Sequence, residues 1–180
     1  MTADASTLTD SVQIRLLQDS DAERLSAAYQ LNRDHLAPWE PARSDEFVTP
    51  AGQHAVIESK LAMHAAGQEL PCILLAGSRI VGAITLTGIV RGPFLSANVG
   101  YWVDKEFNGR GIGSAAVTRV MAAAKDDLGL HRVQAATLKH NAASRKILCR
   151  AGFEEIGLAP SYLRIAGAWQ DHILFQRILE

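Results

Sequence analysis

One short segment constrains this chain more than any other. Asn108-Gly109-Arg110-Gly111-Ile112-Gly113-Ser114 lies between an apolar run ending at Val103 and a stretch of helical spacing. Three glycines at alternate positions let the backbone turn sharply with its N–H groups pointing one way. A helix start behind them adds orphan donors and a partial positive charge. That is a cradle for a diphosphate, and Arg110 adds a full charge. The competing reading is a glycine-rich turn that only joins strand to helix. A Walker loop needs GxxxxGK and then Ser or Thr, and this spacing is absent. Gly111-x-Gly113-x-x-Ala116 fits the loose dinucleotide fingerprint, but the acidic residue expected about 20 positions on to hold a ribose is missing around Ala135 and Ala136.

Charge also points to a local anion. The net charge of -1 hides a basic stretch, Lys105 to Arg150, with nine basic and three acidic residues; it carries +6 against -7 elsewhere. A basic segment in an acidic chain implies a bound anion rather than a coating of nucleic acid, with solvated helix faces as the bland alternative. The chain has 180 residues, 48% apolar, which suits one α/β domain over residues 11–180 behind a loose tail at 1–10. No apolar run reaches the roughly 18 residues of a membrane span, and the polar, acidic N-terminus is unlike a secretory signal. Cys72 and Cys149 form no CxxC, so a disulfide framework is not expected and a reducing cytoplasm is the simplest compartment. The histidines show neither HxxxH nor HExxH spacing, and no metal is expected. Trp39, Trp102 and Trp169 are expected to pack, and Cys149 to be a small core residue.

Alternation over Val12–Leu16, a short apolar run at Cys72–Ala76 and β-branched residues over Ile80–Val90 predict strands, as do the stretches Ala97–Val103, Val133–Leu138, Phe153–Leu158, Tyr162–Ile165 and Trp169–Gln176, with Gly100 a candidate bulge and Ala166-Gly167 a hairpin turn. Helical spacing follows Asp19, runs from Thr49-Pro50 to about Ala66, then covers Ser114–Leu128 and Ala142–Ala151. Pro38 and Pro41 make His35–Val48 a loop or broken helix. The sheet is therefore mixed, antiparallel first and parallel around the central helices.

YWVDKEFNGRGIGSAAV, followed by NAASRKILCRAGFEEIG, resembles the GNAT acetyltransferases. LAPWEPARSDEF, VRGPF and YLRIAGAWQDHIL bring the likeness nearer to the RimJ/RimL group, the ribosomal-protein-alanine N-acetyltransferases, and to RimJ above all. The likeness covers nearly the whole chain from Val12 on. It implies a strongly twisted mixed sheet of about seven strands flanked by about four helices and splayed between the central strands. It implies acetyl-CoA as co-substrate. Asn108, Gly109, Arg110, Gly111, Ile112, Gly113 and Ser114 would grip the pyrophosphate. Trp102 and Val103 would lie along the pantetheine, Asn141 would hydrogen-bond it, and Ser144 would sit near the thioester sulfur. Lys139, Arg145 and Lys146 are candidates for the 3′-phosphate. The chain departs from the family at Asn108, where Gln or Arg is common, and at Ser161, where many relatives carry a carboxylate.

The implied reaction is direct attack of a neutral amine on the thioester in a ternary complex. A backbone N–H at Trp102 or Val103 is the candidate oxyanion donor. Ser144 is the candidate acid for the thiolate, with Tyr162 as runner-up. Glu40, His140 and Asp171 are candidate bases, and Glu40 is equally a candidate to bind the acceptor's ammonium. Trp39, Glu40, Arg91 and Tyr162 are expected along the acceptor. The leading function is Nα-acetylation of a protein, most simply at an alanine of a ribosomal protein. A small amine or a lysine is an alternative acceptor, and a non-catalytic acetyl-CoA sensor or interaction module is an alternative of another class. No nucleic acid or membrane partner is expected, and the chain is expected to be a monomer or homodimer.

Overall fold

The alternating apolar runs are gathered into one mixed sheet. The computed structural model describes residues 4–179. Eight strands, β1 (Ser6–Thr9), β2 (Val12–Leu16), β3 (Leu70–Ala76), β4 (Arg79–Val90), β5 (Ser96–Val103), β6 (Arg132–Leu138), β7 (Glu154–Ile165) and β8 (Ala168–Ile178), lie in the order β1-β2-β3-β4-β5-β6-β8-β7. Five helices accompany them: α1 (Ala22–Leu31), α2 (Arg33–Leu36), α3 (Pro50–Ala65), α4 (Ile112–Asp126) and α5 (Ala142–Arg150). Neighbouring strands are antiparallel except β5 and β6, which run parallel. Among the described residues no helix is long and apolar enough to cross a membrane.

Each face of the sheet has its own apolar layer. On one, Leu25 and Ala28 of α1, Ile57 of α3 and Trp102 of β5 bury Ile73, Leu75 and Ile80. On the other, the stripe Ile112, Ala116, Val117, Val120 and Ala124 of α4 covers Leu74, Ile84, Leu86, Val99 and Val133. Thr49 caps α3 through its hydroxyl, which accepts the Gly52 N–H at 3.0 Å, with Pro50 at the first helical position.

Four expectations need correction. Ser6–Thr9 of the expected tail is a strand against β2, because Leu8 reaches the core; Met1–Ala3 lie outside the described residues. The two strands expected over 153–165 are one long strand, in which a shift between Ala159 and Leu163 absorbs Pro160, a residue with no ladder N–H to give. The strand count is thus eight rather than about seven, and α2, stopped ahead of Pro38, makes five helices rather than four. Gly100 is not a bulge: β4–β5 pairing runs unshifted from Thr87–Asn98 to Gly82–Val103, and the shift falls beyond Thr87, where Gly88 has φ +58°.

Candidate active site

β5 and β6 pair over only three positions, Ser96–Arg132, Ala97–Val133 and Asn98–Gln134. Beyond them the strands part, and a cavity of about 310 Å³ opens between Val99–Trp102 and Ala135–Leu138. The Asp104 N–H donates to the Val81 carbonyl at 2.8 Å on the β4 side. N–H direction alternates along a strand, so the Trp102 N–H also faces β4, while those of Tyr101 and Val103 face the opening. Val103 is therefore the better placed of the two backbone donors considered from sequence. Trp102 instead packs its ring on Tyr29 and donates Nε1–H to the Tyr29 hydroxyl at 3.1 Å.

Asp104, 1% exposed, ends β5. It accepts from Asn32 Nδ2 at 2.9 Å, Arg79 at 2.6 Å and the Glu106 N–H at 2.8 Å. Burial alone would raise its carboxyl, but these donors outweigh burial and hold it below its ordinary value. The Asn32 carboxamide oxygen accepts the Lys105 N–H at 2.9 Å, so the entry to the glycine loop is fastened to α1.

The loop itself turns at Gly109 and Gly111, with φ of +77° and +78°. Gly111 starts α4 with no side-chain cap, which leaves the helix donors for an anion. At Gly113 a Cβ would stand 2.9 Å from Ile147 Cδ1, so glycine lets α4 lie close against α5. Lys146 and Arg150, one turn apart on α5, line the adjoining cavity of about 550 Å³ with Gly109, Gly111 and Ser114. Lys139 and Arg145 turn elsewhere, 3.8 Å from Asp171 and 3.4 Å from Glu155. Of the three cations considered for the 3′-phosphate, Lys146 alone lines the loop cavity; Arg150 is an addition sequence reasoning missed. Arg110 stacks on the Phe107 ring at 4.9 Å instead of lining that cavity. Asn108 Nδ2 donates to His35 Nε2 at 3.1 Å, tying the loop to α2.

At the head of α5, the Asn141 side-chain oxygen accepts the Ser144 N–H at 3.0 Å. Ser144 Oγ lies 2.9 Å from the Tyr101 hydroxyl, a contact between residues 43 positions apart that no local motif announces. Burial pushes the Tyr101 phenol up to about 12, against the opposing Ser144 hydrogen bond. Thr137 Oγ1, lining the same cavity, is buried and finds no hydrogen-bond partner among the described residues. An uncapped helix start, outward N–H groups on β5 and a buried orphan hydroxyl suit a polar, extended, phosphate-bearing ligand such as acetyl-CoA.

Glu40 lines this cavity and two others, one of about 310 Å³ beside Tyr29 and Phe47 and one of about 340 Å³ running under α3. Its carbonyl accepts the Ala166 N–H at 3.0 Å, which pins the proline loop to the β7–β8 hairpin. Burial raises its carboxyl above the ordinary value; Arg43, with Nε at 3.6 Å, opposes the rise without cancelling it. Trp39 lines the cleft and packs on His140. Asp171 instead accepts the Ser161 N–H at 3.0 Å. His172, buried, also lines the cavity; its Nδ1 must donate to the Gln170 carbonyl at 2.9 Å, which leaves Nε2 as acceptor in the neutral ring.

Other expected residues are not brought here. Arg91 lies at the paired end of β5, away from the opening, and donates to the Leu128 carbonyl. Tyr162 sits in the β7 bulge, 44% exposed and against His172, and does not line the cavity of Ser144. Trp169 is 66% exposed and Cys149 is exposed, so neither is a core residue; the hairpin and the outer face of α5 carry them past the packed layers. Among the described residues no group of three or more His, Cys, Asp or Glu is placed to hold a metal ion.

Comparison with known proteins agrees with this geometry. The model of the acetyltransferase (GNAT) domain matches residues 11–154. The chain is 34% identical over 168 residues to the [ribosomal protein uS5]-alanine N-acetyltransferase of Escherichia coli (strain K12), covering 92% of this chain and 87% of that protein. The structure of ribosomal-protein-S5-alanine acetyltransferase from Vibrio fischeri superposes with a TM-score of 0.94 at 35% identity, over 98% of this chain and 97% of that one. Mycobacterium smegmatis RimJ in complex with CoA-disulfide gives 0.89 at 30% identity, over 93% and 81%. Splayed strands, an uncapped helix behind a glycine turn and a match spanning most of the sheet lead to one conclusion: this chain belongs to the GNAT acetyltransferase family.

Proposed function

We propose that the chain moves the acetyl group of acetyl-CoA to the N-terminal α-amine of a protein, with the alanine terminus of a ribosomal protein as the favoured acceptor. The observation that carries this reading is the single opening between β5 and β6, lined by Ser144 and Tyr101 from one side and Glu40 from another. The relatives' activity on a ribosomal-protein alanine supports the choice of acceptor. The sheet, β1 included, and its helices act as one catalytic unit in the cytoplasm, where ribosomal proteins are made.

Acetyl-CoA supplies an activated thioester when bound. The N–H groups of residues 109–114 bind its pyrophosphate, and Lys146 and Arg150 balance its charge. Asn141 uses its oxygen on α5 and has its Nδ2 to donate to the pantetheine. The Val103 N–H faces the carbonyl oxygen as negative charge grows there. Ser144 Oγ protonates the departing sulfur. Glu40 receives the acceptor's ammonium and takes its proton; an α-amine with a pKa of about 8 needs only a modest base, and a carboxylate raised by burial is a better one.

Peptides with varied first residues, incubated with acetyl-CoA and sequenced by mass spectrometry, test the proposal. Acetyl on the α-amine of peptides beginning with Ala or Ser is expected. Acetyl only on lysine, or tight acetyl-CoA binding with no transfer, overturns it in favour of a lysine enzyme or a sensor.

A further inference from the structure

We propose that Tyr101 is a positioning residue that sets the Ser144 hydroxyl as donor to the coenzyme's sulfur, so that the two hydroxyls work as a pair. This rests on the acetyl-CoA half of the reading above and is independent of the acceptor. The Tyr101 oxygen lies 2.9 Å from Ser144 Oγ and 3.3 Å from the Ser144 carbonyl oxygen. Each hydroxyl has one proton, and a carbonyl only accepts. Two arrangements follow. In one, Tyr101 donates to the carbonyl and Ser144 donates to Tyr101, which turns the serine proton away from the cleft. In the other, Tyr101 donates to Ser144 Oγ, and the serine proton is left to point into the cleft. An anionic sulfur selects the second, because a hydrogen bond to a charged acceptor is the stronger one.

The fold holds the pair rigidly. Ser144 is fixed in the first turn of α5 by the Asn141 cap, and Tyr101 stands on the strand whose far edge has lost its partner. Both line the cavity between the parted strands. When the carbon–sulfur bond breaks, the electron pair leaves with sulfur. Sulfur takes the Ser144 proton and Oγ takes the Tyr101 proton. The acceptor nitrogen, now bonded to the acyl carbon, has shed two protons: the one taken by Glu40 passes to solvent, and the one lost after attack returns through water to Tyr101, so the enzyme ends unchanged. The phenol, pushed up to about 12 by burial, does not stay ionised at neutral pH.

Calorimetric binding of CoA and of desulfo-CoA tests the pair without turnover. His35, Glu40, Arg164 and His172 line the same cavities; what they do to the shared part of the two ligands cancels in the ratio of affinities, so the ratio reports on the groups around the sulfur, and the Ser144 and Tyr101 variants assign it. Between about pH 6.5 and about pH 9.5, as the thiol ionises, wild-type protein should come to favour CoA by about tenfold. Ser144→Ala, which leaves the Tyr101 ring packed as it is, should abolish the preference. Tyr101→Phe should cut it to about threefold or less, and the double variant should match Ser144→Ala alone. In turnover, Tyr101→Phe should lower kcat with the KM for acetyl-CoA unchanged. A full preference in Tyr101→Phe, additive losses in the double variant, or equal affinities of wild type for both ligands at every pH overturns the inference. Wild type that shows the preference yet acetylates no peptide overturns the proposed acceptor and leaves the pair standing.

Discussion

The coenzyme side and the acceptor side of the cleft are built from different material. The proposed coenzyme side is largely main chain, the 109–114 turn, the start of α4 and the outward edge of β5, with the Asn141, Lys146 and Arg150 side chains of α5 beside it. Each piece is held by regular structure on two sides. The acceptor side is a wall of side chains drawn from the proline loop, α3 and the β7–β8 hairpin, with the Ala166 to Glu40 hydrogen bond tying loop to hairpin and Gln53 of α3 donating to the Phe47 carbonyl. The contrast shows where each property resides. On the proposed reading, coenzyme binding rests on backbone geometry, which the fold sets, and acceptor choice rests on loops, whose shape the fold constrains least.

The buried carboxylate at the entry to the coenzyme loop gives the largest expected effect. Asp104→Ala strips the partner from Asn32 and Arg79 and should cost about 3 kcal/mol of stability at neutral pH. Because the Asp104 carboxyl lies below its ordinary value of 3.8 in the folded state, its contribution is complete above that value and is lost as pH falls through the folded one. Thermal melts should therefore show the gap between variant and wild type closing only in strong acid. Next, Gly111→Val forces a Cβ into φ +78° and should weaken acetyl-CoA binding about tenfold by calorimetry, with the KM for peptide little changed. An equal rise in both would break the contrast. Glu40→Gln acts on the other side: kcat/KM should fall about tenfold while acetyl-CoA affinity holds. Wild-type activity should drop as pH falls through a value above the ordinary 4.5 of a glutamate, and the variant should lack that limb. A pure rise in peptide KM would make Glu40 an ammonium binder. Lys146→Ala should weaken acetyl-CoA about threefold, and less at high salt, whereas Lys139→Ala should leave it unchanged. Smallest of all, Trp169→Ala on the exposed hairpin should stay within about 0.5 kcal/mol in stability.

The same contrast explains what could be read from the chain. The coenzyme side was legible because its pieces are contiguous: the run of alternate glycines at a helix start can be read from the residues alone, and Asn141 and Ser144 lie in one unbroken stretch that carries the family resemblance. Glu40 could be named from its loop, but its place at the meeting of three cavities depends on where α3 and the hairpin come to rest. Tyr101 was missed because it reads as one more aromatic on a strand; only the parting of β5 from β6 turns it to Ser144. Tyr162 was misplaced because Pro160 shifts β7 locally and carries the ring outward. β1 was missed because four residues, three of them hydroxyl-bearing, give no periodic signal.

The unpaired edge of β5 has a further consequence for the history of such a chain. Donors that belong to the peptide backbone survive almost any exchange of the side chain attached to them, so point substitution can scarcely delete them. On the proposed reading, the strand can therefore accumulate new residues while the donors it offers the coenzyme persist. Lineages of this architecture can drift toward new amines one loop residue at a time without first losing the acyl donor.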